Sequence, residues 1–170
     1  IIQHMKSNIS SFNDYLISND KVQLHPKVFK LINNLPKCIK ELHNFIFYGA
    51  KGVVKYTQVL STIKNYSPSE LKYEKKMSST INKGCHVLKI SDIHFEVDMS
   101  LLGCNTKLMW NELFNRIVDV ILTKPDKAGI ILCKNFHDTH AELLETFYSY
   151  MQNTSNGAHI IFFLITEAVS

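Results

Sequence analysis

Hydrophobic positions along this chain change their period several times, and each change marks an element. From Pro26 to Leu35, the residues Val28, Leu31, Ile32 and Leu35 recur at helical spacing, so a short helix is expected to begin at the proline. Asn44 to Tyr48 is an aromatic and β-branched run closed by Gly49, too short for a helix, and it reads as a buried parallel strand. Beyond Gly49 and Gly52, the residues Tyr56, Val59, Leu60 and Ile63 return to helical intervals until Ser67-Pro68 stops them. The local order is therefore strand, glycine loop, helix.

Period two follows. Leu71 to Met77 alternates apolar with charged residues, and Val87 to Ile90 does the same after the turn Asn82-Lys83-Gly84, which together predict a β-hairpin excursion. His94 to Met99 is a further short strand, with Phe95 and Val97 on one face and Glu96 and Asp98 on the other. A turn at Leu102-Gly103-Cys104-Asn105 opens a long helix, Thr106 to Leu122, with Met109, Leu113, Ile117, Val120 and Ile121 on its apolar face and Asn105 or Thr106 as N-cap. Pro125-Asp126 ends it. Ala128 to Cys133 is a nearly continuous apolar strand of the kind found inside a parallel sheet. Asp138 or Thr139 is the expected cap of a helix running to Met151, Asn153 to Gly157 is a loop by composition, and Ile160 to Ile165 is a second wholly apolar strand.

Strands alternating with helices predict an α/β fold with a parallel sheet, helices on both faces and a β-hairpin insertion. Size agrees with one core, since 170 residues make about one domain. Residues 1–25 are read as a lead-in segment and residues 26–170 as the domain, truncated on its C-terminal side. Apolar residues are 45% and charged residues 20% of the chain, which excludes a disordered or fibrous class. No apolar run approaches the ~18 residues of a membrane span, and the start lacks the apolar region of a signal peptide, so no membrane partner and no secretion are expected. Cys38, Cys85, Cys104 and Cys133 lie far apart with no C-x-x-C pair, which is the usage of reduced thiols. The net charge of +4 is compatible with a nucleic-acid partner without requiring one.

The chemistry concentrates between the first strand and its helix, in Tyr48-Gly49-Ala50-Lys51-Gly52-Val53-Val54-Lys55-Tyr56-Thr57. A phosphate loop turns backbone N–H groups toward phosphate oxygens at a helix N-terminus and sends a Lys to the β- and γ-phosphates. Gly49, Gly52 and Lys55 stand at suitable offsets. Val54 occupies the place of the motif's last glycine, and Tyr56 the place of its metal-binding hydroxyl. On the motif alone, a phosphate loop and a plain strand-turn-helix joint both stand.

A wider similarity weighs on that choice. From about Leu42 onward the chain resembles subunits of the replication factor C type, clamp loaders of the AAA+ P-loop family whose loop reads Y-G-P-S-G-x-G-K-K-T. In that family too the residue after the Lys is neither Ser nor Thr and a Thr follows, as in Tyr56-Thr57. A second block, His94-Phe95-Glu96-Val97-Asp98-Met99-Ser100-Leu101-Leu102-Gly103-Cys104-Asn105, is similar to the family's H-L-E-V-N-P-S-D-A-G-N and is the more specific signal.

The resemblance implies a three-layer P-loop domain of AAA+ type and a subunit that helps load a sliding clamp onto primer-template DNA beside other clamp-loader subunits. It implies ATP as the ligand of Gly49, Ala50, Lys51, Gly52, Val53, Val54, Lys55, Tyr56 and Thr57, bound weakly if at all, with magnesium only alongside ATP. Thr166 falls near the place of the family's γ-phosphate sensor. The family's acidic strand end falls on Cys133-Lys134-Asn135, where no acid stands, so no catalytic residue is assigned and hydrolysis is expected to be lost. Asn105, Thr106 and Lys107 open a helix of the kind that tracks a DNA backbone, although capping by Asn105 and Thr106 with a solvated Lys107 explains them equally. The implied setting is nucleus, cytoplasm or a viral replication compartment. The competing reading is a scaffold or interaction module of a divergent replication complex that binds no nucleotide.

Other groupings carry less. His137 and His140 lack a third metal ligand in any motif, Phe147, Tyr148 and Tyr150 are spaced for packing more than for base stacking, and Lys72, Lys75 and Lys76 read as a solvated face.

Overall fold

The computed structural model describes residues 12, 33–49, 53–77, 88–152 and 157–167. Within them the chain forms β1 (Phe45–Gly49), α1 (Val53–Lys64), β2 (Lys75–Met77), β3 (Leu88–Ile90), β4 (His94–Asp98), α2 (Thr106–Thr123), β5 (Ala128–Lys134), α3 (Ala141–Gln152) and β6 (His159–Glu167). The six strands make one sheet in the order β1-β6-β5-β4-β3-β2. After β1 the chain crosses to the far edge and then steps back strand by strand until β6 lies beside β1. The pairings β1 with β6, β6 with β5 and β5 with β4 are parallel, and those of β3 with β4 and β2 with β3 are antiparallel. The fold is thus α/β with a mixed, mostly parallel sheet and three α-helices among the described residues.

Alternation along the central strands builds two cores. Ile130 and Leu132 of β5, with Ile161 and Phe163 of β6, face Tyr56, Val59, Leu60 and Ile63 of α1. Their neighbours Ile131, Cys133, Phe162 and Leu164 face the opposite way, onto Met109, Trp110, Leu113, Ile117 and Ile121 of α2 and Leu143 and Phe147 of α3. Each fully buried Ile or Leu contributes about 1.5–3 kcal/mol of transfer free energy, which is why the continuous apolar runs become the middle of the sheet. Within the second core the Trp110 indole N–H donates to the Tyr150 hydroxyl at 3.0 Å, and Tyr150 stacks on Phe114 and Phe162. At Gly129 a Cβ would lie 3.0 Å from two carbons of Ile121, so glycine is what lets α2 seat closely on β5.

Several sequence expectations need correction. The segment 44–48 is no buried strand: β1 pairs only with β6 among the described residues, and Ile46 and Tyr48 are 67% and 68% exposed. Leu71 begins no strand, because it sits at φ 59° in a turn after Glu70 at φ 58°, its side chain buried in the α1 core. The expected hairpin forms, as β2 paired antiparallel with β3, but it extends the main sheet instead of standing apart from it. Val120 lies outside the apolar face of α2 at 40% exposure. The cap of α3 is neither Asp138 nor Thr139, because the helix starts at Ala141 and the N–H of Glu142 donates to His140 Nδ1 at 3.4 Å. The helix expected over 26–35 and the loop 153–156 lie outside the described residues, apart from 33–35. No described helix is long and apolar enough to cross a membrane.

Candidate functional site

The helix leaving β1 covers one face of the sheet, and those leaving β4 and β5 cover the other. Divergence of this kind opens a crevice outside the carboxyl ends of the strands, where open α/β sheets take ligands. Lys55, in the first turns of α1, sends its side chain to the carboxyl ends of β1 and β6. Its Nζ donates to the carbonyl of Gly49, the last residue of β1, at 2.7 Å, and to that of Thr166 on β6 at 3.0 Å. Thr166 stands opposite Tyr48 in the parallel register, and Glu167 opposite Gly49. The structure therefore brings together Gly49, Lys55 and Thr166 at one strand end, with Thr166 contacting Lys55 through its backbone.

Ala50, Lys51 and Gly52 lie outside the described residues, and only the backbone of Val53 and Val54 is described. Gly49 has room for a side chain, since a Cβ would meet Lys55 Cδ at 3.6 Å. Tyr56 and Thr57 are both buried.

Tyr56 faces a cluster that the sequence reading missed. Its hydroxyl donates across both carboxylate oxygens of Glu96 on β4, at 2.9 and 2.7 Å. Glu96 is 3% exposed, and Lys134 Nζ, at the end of β5, stands 3.7 Å from the same carboxylate and 4.2 Å from the centre of the Tyr56 ring. On the other side His94 Nε2 is 3.6 Å from Glu96 Oε2, close enough for charge attraction and too long for a hydrogen bond. Among the described residues that nitrogen has no hydrogen-bond partner, while Nδ1 of the same ring pairs with the Ser91 hydroxyl at 2.5 Å. Burial pushes the Glu96 carboxyl up, but His94, Lys134 and the Tyr56 hydroxyl together outweigh it and hold the group below the usual glutamate range.

The end of β5 carries no acid, as the sequence has it. A cation stands at that strand end, and its counter-charge is one strand over. Period two placed Glu96 and Asp98 opposite Phe95 and Val97, and that holds. What escaped notice is that β4 is an inner strand covered on both faces, so its polar side is buried. A charged residue on a strand with two neighbours, read against an unmatched Lys at the next strand end, is the signal that would have found the pair.

At the outer end of β5, Asn135 takes a left-handed φ of 53° and its side chain donates to Asp98 Oδ1 at 2.9 Å, closing β4 against β5. His137 accepts the Glu167 N–H at Nδ1 and turns Nε2 toward the Asp138 and Glu167 carboxylates, at 3.5 and 3.6 Å. His140 points elsewhere, to Glu142, so the two histidines do not converge. Among the described residues no group of three or more His, Cys, Asp and Glu side chains is arranged to hold a metal ion.

Of the residues considered for DNA, Thr106 is turned inward. It is buried, and its hydroxyl donates back to the Gly103 carbonyl at 2.5 Å. Asn105 precedes the 18-residue helix α2 without making a side-chain capping bond, and Asn105 and Lys107 are exposed. Phe147 is buried and Tyr150 half-buried in the aromatic core, whereas Tyr148 is exposed.

No family model matches the chain, and no curated protein matches it.

Proposed function

We propose that this chain is the AAA+-type, three-layer nucleotide-binding domain of a clamp-loader subunit of the replication factor C kind, with a loop that holds ATP weakly and does not hydrolyse it. The observation that carries the reading is Lys55, whose ammonium bridges the carboxyl ends of β1 and β6 at the Gly49 and Thr166 carbonyls. A lysine in that crevice, on the first turns of the helix after a glycine-containing loop, is placed to trade two backbone carbonyls for phosphate oxygens. The strand order adds support, since it sets β6 and Thr166 beside the loop strand. Loss of hydrolysis follows from Lys134, because in-line attack on a γ-phosphate needs carboxylates to hold the metal and orient the water. Such a subunit would serve its ring by position, offering the exposed Asn105 and Lys107 at the start of α2 to a phosphate backbone and its outer surface to neighbouring subunits and a sliding clamp.

A second reading is favoured by the same lysine. With two good acceptors already in place, Lys55 also suits a closed joint in a scaffold that binds no nucleotide. Titration of the full chain with a fluorescent ATP analogue, alongside Lys55→Ala, separates them. Saturable binding that the substitution abolishes supports the first reading. No binding even at millimolar analogue refutes it and leaves the scaffold.

A further inference from the structure

Among the described residues β1 lies at an edge of the sheet, and Phe45-Ile46-Phe47-Tyr48 carries neither the charge nor the proline that keeps such an edge from pairing. Phe45 and Phe47 turn toward the α1 core, each edge-on to Phe163 at 5.8 and 5.6 Å. Ile46 and Tyr48 stand opposite Leu164 and Thr166 in the parallel register, on the face of the sheet that α2 and α3 pack against. At 67% and 68% exposure, neither is covered by those helices.

The same apolar surface continues onto α3. Leu143 and Phe147 seat that helix on the sheet, and Tyr150 stacks on Phe114 of α2, so the Tyr150 flank faces α2. Leu144 and Tyr148 each follow a seated residue by one position, a rotation of about 100°, which places them on the flank turned away from α2 and toward β1. They are 47% and 66% exposed. Ile46, Tyr48, Leu144 and Tyr148 thus gather beside one free strand edge, where scattered exposed residues would need no explanation and a shared patch does.

We propose that this edge is a dimerisation surface whose occupant is β1 of a second copy of this chain, paired antiparallel about a two-fold axis at Phe47. The strand is complementary to itself in that arrangement. Ile46 falls opposite Tyr48 of the other copy, and Tyr48 opposite its Ile46, so one face gains two aliphatic–aromatic pairs and the other a pair of Phe47 rings. Charge agrees, because antiparallel pairing sets the N-terminal end of one β1 against the C-terminal end of the other. Before β1 stand the exposed Lys37 and Lys40, with Glu41 as the acid among them. At the other end lie Glu167, opposite Gly49, and the exposed Glu142 and Glu145 in the first turns of α3. The two-fold axis brings the basic end to the acidic end twice. The inference does not depend on the reading of the loop, and no nucleotide takes part in it.

Sedimentation equilibrium of the full chain without nucleotide tests it, together with hydrogen exchange of the β1 amides at low and high protein concentration. The proposal expects a monomer–dimer equilibrium and slower exchange at residues 46–48 as the dimer fills. Tyr48→Lys sets a charge on the edge at an exposed position, and it is expected to weaken the dimer by about tenfold or more with an unchanged circular dichroism spectrum. A chain that stays monomeric at about 100 μM overturns the proposal, since an edge that weak would not associate specifically. A dimer whose β1 amides exchange at the same rate at every concentration overturns it as well, because its interface lies elsewhere. Both readings are made on the unsubstituted chain, so a misfolded variant does not remove the test.

Discussion

Replacing Tyr56 by Phe removes a single oxygen from the buried cluster and leaves the ring that Lys134 covers. That oxygen donates to both carboxylate oxygens of Glu96 at 2.9 and 2.7 Å, and Glu96 is too deeply buried for water to take its place. A hydrogen bond to a charged group is worth about 1.5–3 kcal/mol, and the partner left behind bears a desolvation cost of its own. His94 and Lys134 still compensate the carboxylate, so the expected loss is about 2 kcal/mol. For a chain of this size that is a fall in Tm of roughly 4–8 °C. Urea unfolding at neutral pH measures it, and a cycle with Glu96→Gln assigns it. If the hydroxyl acts through Glu96, the two substitutions should couple by about 1 kcal/mol or more. A Tyr56→Phe loss below about 0.5 kcal/mol, or additivity with Glu96→Gln, would refute the inward-facing role and return Tyr56 to the loop.

Lys134→Ala leaves the same carboxylate without its ammonium; breaking a fully buried pair costs about 3–5 kcal/mol, and the partial exposure of Lys134 reduces the expectation to about 2 kcal/mol, read by denaturant midpoint. Acid should act through Glu96 as well. Its folded carboxyl takes up a proton only at lower pH than the unfolded chain does, so the stabilisation is complete above the ordinary value of about 4.3 and drains away as pH falls through the lower folded value. Between about pH 5 and pH 3 the unsubstituted chain should therefore lose more stability than Glu96→Gln, and parallel curves would contradict the shift. Gly129→Ala places a methyl 3.0 Å from Ile121, and overpacking of that kind costs about 1–3 kcal/mol; thermal melting within a degree or two of the parent would show that α2 yields freely.

Elements whose burial matches their period were legible in the chain. α2 and the apolar runs of β5 and β6 follow from residue spacing because each is packed against its neighbours along most of its length. The misreadings share a cause, which is that period reports a face but not what covers it. Phe45 to Tyr48 has the composition of an inner strand and lies at an edge of the described sheet. Leu71 continues an alternation with Tyr73, yet it reaches the core from a left-handed turn. Period two puts Glu96 and Asp98 opposite Phe95 and Val97, but nothing local reveals that β3 and β5 flank the strand and that Glu96 is buried. The Tyr56–Glu96–Lys134 cluster joins residues on three elements and emerges only once the sheet order is known.

The most direct measurement is a crystal structure of the chain grown with ATP and magnesium. The account predicts triphosphate density in the crevice beyond β1 and β6, with Lys55 Nζ moved from the Gly49 and Thr166 carbonyls onto phosphate oxygens. It also predicts Tyr56, Glu96 and Lys134 unmoved. No nucleotide density, with Lys55 still on its two carbonyls, would contradict it.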